Sequence, residues 1–232
     1  IYARVCLQVY AYHASANSPS PTMVLGDKNP LYSRYLPLLQ DLFPQARFIY
    51  LVRNIKDNIL SYQQVYFDMR KTADLAWRWK KYNREIQESI KRFPHKYLKL
   101  SYEDLARNGE HELTRVTEFL GILYDPVMMS FSSKPADRTA SLGWHQNLTR
   151  KLNTSSIDKW KTDMGDEEIR LVDFIEPPGG KRKDDATISI RLKALQSLLK
   201  TQVYSFAEKT FYELPLPIRA RLSNQLRNPD KR

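Results

Sequence analysis

Apolar positions along this chain change their spacing several times, and each change marks a different element. Val5, Val9 and Tyr12 recur at helical steps, which predicts a helix over residues 1–13. Ser15 to Pro21 is rich in Ser, Asn and Pro and reads as a loop. Met23, Val24 and Leu25 form a short unbroken apolar run, expected as a buried strand that Gly26 ends. Pro30 is suited to open the next helix, in which Leu31, Tyr35, Leu38, Leu39 and Leu42 share a face and Pro44 closes the run. Phe48 to Val52 is β-branched and aromatic, as a buried strand requires, and Asp57 with Asn58 suits the first turn of a following helix.

Helical spacing then returns over a longer stretch. Leu75, Trp79, Tyr82, Ile86, Ile90 and Phe93 fall at steps of three or four, predicting an amphipathic helix from Thr72 to Phe93 with Pro94 after it. Tyr97, Leu98 and Leu100 make a further strand leading into Tyr102. Leu113, Val116, Phe119 and Leu120 define a helix with Gly121 as its C-terminal cap. Residues 132–156 are polar and aperiodic, a loop long enough to suspect of function. The strand–helix–strand–helix alternation predicts an α/β fold with a parallel sheet.

Pro177-Pro-Gly-Gly180 followed by Lys181-Arg-Lys183 is the clearest boundary, dividing a domain at 1–176 from an extension at 177–232. In the extension Ile188, Leu192, Leu195, Leu199 and Val203 line one helical face, and Leu216 to Leu226 reads as a shorter basic helix. These extra helices could pack on the core, mediate a homo-oligomer or present a positive face.

Composition narrows the class without identifying it. A length of 232 residues suits one α/β domain with an appendage, and 42% hydrophobic with 27% charged residues is ordinary for a soluble protein. No run of about 18 apolar residues occurs, so no membrane span is expected, and Ile1 opens no recognisable signal peptide. A cytoplasmic location is the expectation, or a Golgi lumen if an N-terminal anchor precedes Ile1. The single cysteine, Cys6, excludes an internal disulfide, and the four scattered histidines suggest no metal site. Of the net charge of +11, residues 177–232 supply +7, from 12 Lys/Arg against 5 Asp/Glu. A solvated helical surface accounts for this excess; an acidic acceptor or an anionic membrane surface would also suit it. Nucleic acid is not expected, because basic residues are not interleaved with aromatics.

One segment carries candidate chemistry. Arg53 stands where its strand ends, and Ser61 follows eight residues later, about two turns along the next helix. A guanidinium, a hydroxyl and a helix N-terminus at one spot make a phosphate site; an arginine that only caps a neighbouring helix is the plainer alternative.

The surrounding motifs favour the first. In order, Gly26-Asp-Lys-Asn-Pro30, Leu42-Phe-Pro44, the strand–Arg53–Ser61 unit, a Trp-rich helix, Ser101-Tyr-Glu-Asp-Leu105, Phe119-Leu-Gly-Ile122 and Ser156-Ile-Asp-Lys-Trp160 resemble the sulfotransferases that use 3′-phosphoadenosine 5′-phosphosulfate (PAPS). The likeness covers roughly residues 15 to 176 and is greatest to the branch holding many bacterial enzymes and the tyrosylprotein sulfotransferases. It implies a P-loop-like parallel sheet flanked by helices. It also implies sulfuryl transfer from PAPS, with PAP as product, to a hydroxyl or amine on a small molecule, carbohydrate or peptide. Matched residue by residue, Arg53 and Ser61 become the 3′-phosphate ligands and Tyr102 the adenine neighbour. Lys28 becomes the catalytic lysine and Lys159 the lysine at the 5′ end, with Arg150 and Lys151 as weaker cofactor ligands just upstream. Glu103 and Asp104 are expected to cap a helix and pair with basic residues, and Trp77, Trp79 and Trp160 to be core.

Departures from the family pattern are equally specific. Its usual Arg-Asp-Pro reads Arg53-Asn54-Ile55 here, so a looser turn is expected. Residues 1–25 contain no glycine, whereas the family opens with a Gly-rich loop that cradles the 5′-phosphosulfate. The usual acidic or histidine base is missing as well. The expectation is therefore a fragment of a full enzyme. The alternative is a non-catalytic relative that docks a partner or an anionic surface through the basic C-terminal helices. Asn147-Leu-Thr149 and Asn153-Thr-Ser155 fit an N-glycosylation pattern by coincidence, and no G-x-x-x-x-G-K-[ST] occurs to suggest a nucleotide kinase.

Overall fold

A computed structural model describes residues 24–64, 71–130, 154–180, 186–215 and 217–218. In chain order the elements are α1 (Leu36–Leu42), β1 (Phe48–Val52), α2 (Ile55–Gln63), α3 (Thr72–Arg92), β2 (Tyr97–Ser101), α4 (Tyr102–Arg107), α5 (Gly109–Leu120), α6 (Asp166–Ile175) and α7 (Ile188–Glu213). Short 3-10 segments stand at Pro30–Arg34, Pro94–Lys96, Pro126–Met129 and Pro178–Gly180. By contacts the chain forms two compact units. One takes in residues up to Asp57 together with Lys81–Lys159; the other takes in Asn58–Lys80 together with Trp160–Arg232. Among the described residues no helix is long and apolar enough to cross a membrane.

The first unit is organised by β1 and β2, which pair parallel and in register from Phe48 opposite Tyr97 to Val52 opposite Ser101. Phe48 and Tyr97 stack across the pair with ring centroids 5.0 Å apart, a geometry that adds to simple area burial. Tyr50 lies buried on β1 and its hydroxyl donates to Asn83 Oδ1 on α3. The Tyr97 hydroxyl accepts from Gln40 Nε2 at 2.9 Å, which ties α1 to β2 through two buried polar groups. α5 ends as its sequence predicts. Gly121 takes φ 72°, in the left-handed region, and its N–H bonds back to the last turn. Arg47 lies over the Phe119 ring of the same helix and donates to its carbonyl.

In the second unit Leu75, Ala76, Leu171, Val172, Ile175, Ile190 and Ala194 are buried. Their packing is fixed by side chains that reach backbone. Trp77 Nε1 donates to the Ala194 carbonyl at 3.0 Å, and Lys80 Nζ donates to the Ile175 carbonyl at 2.5 Å. Lys80 supplies a donor at the last turn of α6, where carbonyls have no intrahelical partner.

Two elements differ from expectation, and the structure settles the direction of a third. Val24 and Leu25 are 59% and 41% exposed in a segment without regular structure, and Met23 is outside the described residues. A strand needs a partner for its backbone groups, and among the described residues none pairs here. The helix expected from Pro30 is instead a 3-10 turn followed by α1. Pro37 lies in the first turn of α1, and a proline cannot sit inside a continuing helix, so the helix restarts around it. Its buried positions are Leu36 and Gln40, while Leu38 is exposed. On α7 the line Ile188, Leu192, Leu195, Leu199 and Val203 faces outward, each residue at least half exposed, and Ile190, Ala194 and Ser197 face inward. The polar anchors set that rotation, since Ser197 Oγ donates to buried Asp74 at 2.5 Å. The helix expected at 1–13 and most of the one at 216–226 lie outside the described residues.

Burial pushes the Tyr50 phenol from its ordinary pKa of 10.0 up to about 12. The folded protein keeps a proton that the unfolded chain releases above pH 10, so this stability is whole below pH 10 and is lost as pH rises toward 12. Tyr50→Phe should be less stable than wild type by about 1 kcal/mol at neutral pH. In urea titrations that gap should narrow between pH 10 and 12; a gap that widens would contradict the buried phenol.

Candidate active site

The register of β1 with β2 ends both strands at one edge, so the residues that follow them are neighbours. Arg53 follows Val52, and Tyr102 follows Ser101. The Arg53 guanidinium lies 4.6 Å from the centroid of the Tyr102 ring. Its Nη2 donates to the Ser156 carbonyl at 2.7 Å. Its Nε is buried and has no hydrogen-bond partner among the described residues. A buried guanidinium N–H without an acceptor is costly, and a water or an anionic oxygen would complete it.

The turn after Arg53 is held from both sides. Asn54 Oδ1 accepts from the N–H of Lys56 at 2.9 Å and of Asp57 at 3.4 Å, which caps the first turn of α2. The Asn54 N–H itself donates to Glu103 Oε1 at 2.9 Å. Glu103 Oε2 in turn accepts from Ser101 Oγ at 3.0 Å, and Ser101 Oγ caps α4 by accepting from the Asp104 N–H at 3.2 Å. The Arg53-Asn54-Ile55 turn therefore has its support without the family's proline. Glu103 joins the two strand ends, rather than pairing with a basic residue as its sequence context suggested.

A third segment meets this edge. Asp57 is 1% exposed, and its Oδ2 accepts from the Asp158 N–H at 2.8 Å. Asp158 has φ 61°, a left-handed conformation that is uncommon outside glycine. With Arg53 on the Ser156 carbonyl, the turn immediately before Lys159 is fixed at one C=O and one N–H. Lys159 is exposed.

The other expected site residues are placed as follows. Ser61 is exposed on α2, two turns into the helix. Lys28 is exposed in the irregular segment before Pro30, and its own N–H donates to Asp27 Oδ1 at 2.7 Å; Asp27 Oδ2 accepts from the Tyr32 hydroxyl. Arg150 and Lys151 lie outside the described residues. Trp77, Trp79 and Trp160 are all partly buried. The sequence reading missed Glu103 and Asp57 as supports of the Arg53 turn. Asp57 has a sequence signal in the helix-start spacing Asn54-x-x-Asp57, a cap followed three residues later by an acid; Glu103 has none of this kind.

A cavity of about 430 Å³ opens in the second unit between the start of α3, α6 and α7. Much of its charged lining is engaged internally. Lys193 meets Glu167 at 2.5 Å, Lys200 meets Asp74 at 3.4 Å, and Thr72 donates to Glu168.

Comparison with known proteins identifies the family and its fold. A model of the sulfotransferase family matches residues 3–126, more than half of the chain. A Caenorhabditis briggsae protein assigned as a protein-tyrosine sulfotransferase is 25% identical over 66% of this chain and 58% of its own length. A Caenorhabditis elegans protein with the same assignment is 23% identical over 82% of this chain and 72% of its own. The chain thus spans little more than half of the first of these relatives. Among solved structures, the sulfotransferase domain from the curacin biosynthetic pathway superposes with a TM-score of 0.52 at 21% identity, covering 72% of this chain and 65% of that one. The strand pair, its arginine-bearing turn and the family match agree: this chain belongs to the sulfotransferase family and has that family's α/β fold.

Proposed function

We propose that the chain takes part in sulfuryl transfer from PAPS to a hydroxyl or amine, with Arg53 holding the 3′-phosphate of the donor. The observation that carries this reading is the buried Nε of Arg53, without a hydrogen-bond partner among the described residues, at the end of β1 beside the first turn of α2. Helix N-termini favour anions, and a guanidinium offers forked donors that suit phosphate. When bound, PAPS supplies the activated sulfuryl group; the chain's own residues bind and orient it. The family resemblance adds the Ser61 hydroxyl as a second ligand of the 3′-phosphate and Tyr102 as the neighbour of the adenine. It adds Lys159 and Lys28 as cations near the reacting end, where negative charge develops on the leaving phosphate. Holding the 3′-phosphate does no chemistry itself, but it fixes the reacting end by position. The names of the nematode relatives make a peptide tyrosine the first acceptor to test, and the positive C-terminal segment would suit an acidic peptide.

Calorimetry with adenosine 3′,5′-bisphosphate tests the anchor. Arg53→Ala should weaken binding about 100-fold, as loss of a charge-paired interface group does; Arg53→Lys should recover only part, because a point charge cannot replace the fork. Unchanged affinity in Arg53→Ala would remove the assignment. Transfer of labelled sulfate from PAPS to an acidic tyrosine peptide tests the reaction. There Lys28→Ala should lower turnover by roughly 100-fold with bisphosphate affinity nearly unaltered. A drop in affinity without loss of turnover would move Lys28 from charge stabilisation to binding.

A further inference from the structure

We infer that Asp57 is a positioning residue, whose carboxylate holds the 156–158 turn, and with it Lys159, against the turn that bears Arg53. The inference rests on the reading of Arg53 as a phosphate anchor and goes beyond it by naming what keeps the two ends of the donor site in register.

Asp57 is one of the most deeply buried side chains of the protein, at 1% exposure. It sits in the first turn of α2, where the helix dipole favours a negative charge. A buried carboxylate must be matched by donors. One of its donors, the Asp158 N–H at 2.8 Å, comes from a residue 101 positions away in sequence. The contact therefore does more than cap a helix: it joins the first turn of α2 to a remote turn. That remote turn is strained, because Asp158 holds φ 61° without being glycine. A left-handed aspartate costs roughly 1–2 kcal/mol, so it persists only where surrounding contacts demand it. Among the contacts that do so are Asp57 on the Asp158 N–H and Arg53 Nη2 on the Ser156 carbonyl at 2.7 Å. Lys159 is the next residue. Arg53 thus grips the turn with Nη2, while its buried Nε has no hydrogen-bond partner among the described residues. Removing Asp57 would take the Asp158 N–H contact away from this turn.

Two measurements on the full chain test this. In amide hydrogen exchange without ligand, Asp57→Ala should speed exchange at residues 157–159 by about tenfold or more, whereas Asp57→Asn, whose amide oxygen can still accept, should stay within about twofold of wild type. Exchange that does not change in Asp57→Ala overturns the inference. In calorimetry with adenosine 3′,5′-bisphosphate, Asp57→Ala should lose roughly tenfold in affinity, the worth of one hydrogen bond to a charged group. In a Lys159→Ala background the same substitution should cost less than about twofold, because the residue it positions is gone. An equal loss in both backgrounds means that Asp57 acts on the fold at large and overturns the inference. If Asp57→Ala does not fold, Asp57→Glu carries the same expectations, since one added methylene displaces the carboxylate from the Asp158 N–H. Wild-type protein that fails to bind the bisphosphate would overturn the Arg53 reading and this inference with it. That outcome is recognisable because Arg53→Ala would then be silent too.

Discussion

Parallel pairing of β1 with β2 is the constraint on which the candidate site depends. Parallel strands run out at the same edge of a sheet, and ligands of open α/β sheets bind beyond the carboxyl ends of their strands. With Val52 opposite Ser101, the next residues of each strand are Arg53 and Tyr102, and a guanidinium meets a ring face without any further fitting. A slip of one residue would turn every side chain of a strand to the other face. Tyr50 would leave Asn83, and the Phe48–Tyr97 stack would open. Correct register is thus secured in the core, by buried aromatic residues, and is used at the edge.

Polar side chains convert that register into a shaped site. Glu103 takes the Asn54 N–H with one oxygen and the Ser101 hydroxyl with the other, so one carboxylate binds both strand ends together. Such bonds are modest individually, about 1 kcal/mol each net. Their importance lies in direction: each fixes a backbone group within the turn that presents Arg53. The second unit uses the same device, with Asp74 receiving Ser197 and Lys200, and Trp77 reaching the Ala194 carbonyl.

The parts of this structure that repeat in sequence were legible from sequence. β1, β2, the long helix α3 and the Gly121 cap all follow from apolar runs, from steps of three to four, or from a residue with one strong backbone preference, although Ile49 and Leu51 are exposed on a strand expected to be buried. Legibility failed where a single residue outweighed the pattern. Pro37 interrupts an otherwise continuous apolar helix, and Val24 with Leu25 are apolar enough for a strand that has no partner among the described residues. On α7 the apolar line does share one face, but its outward direction was not legible, because Ser197 and Ala194 make the specific contacts and turn inward. In the site, Arg53 was visible because strand, arginine and helix are contiguous. The tasks of Asp57 and Glu103 were not, because their partners are 101 and 49 residues away and leave no periodic trace.

The backbone at Asp158 has an implication for how this protein can change over time. Glycine would occupy that conformation at no steric cost and would relieve the folded chain. It would also free the same link to adopt many rival shapes, and the turn before Lys159 would lose its single geometry. Drift toward the locally comfortable residue is therefore opposed by whatever task needs that lysine in one place, and a chain released from the task would be free to relax there first.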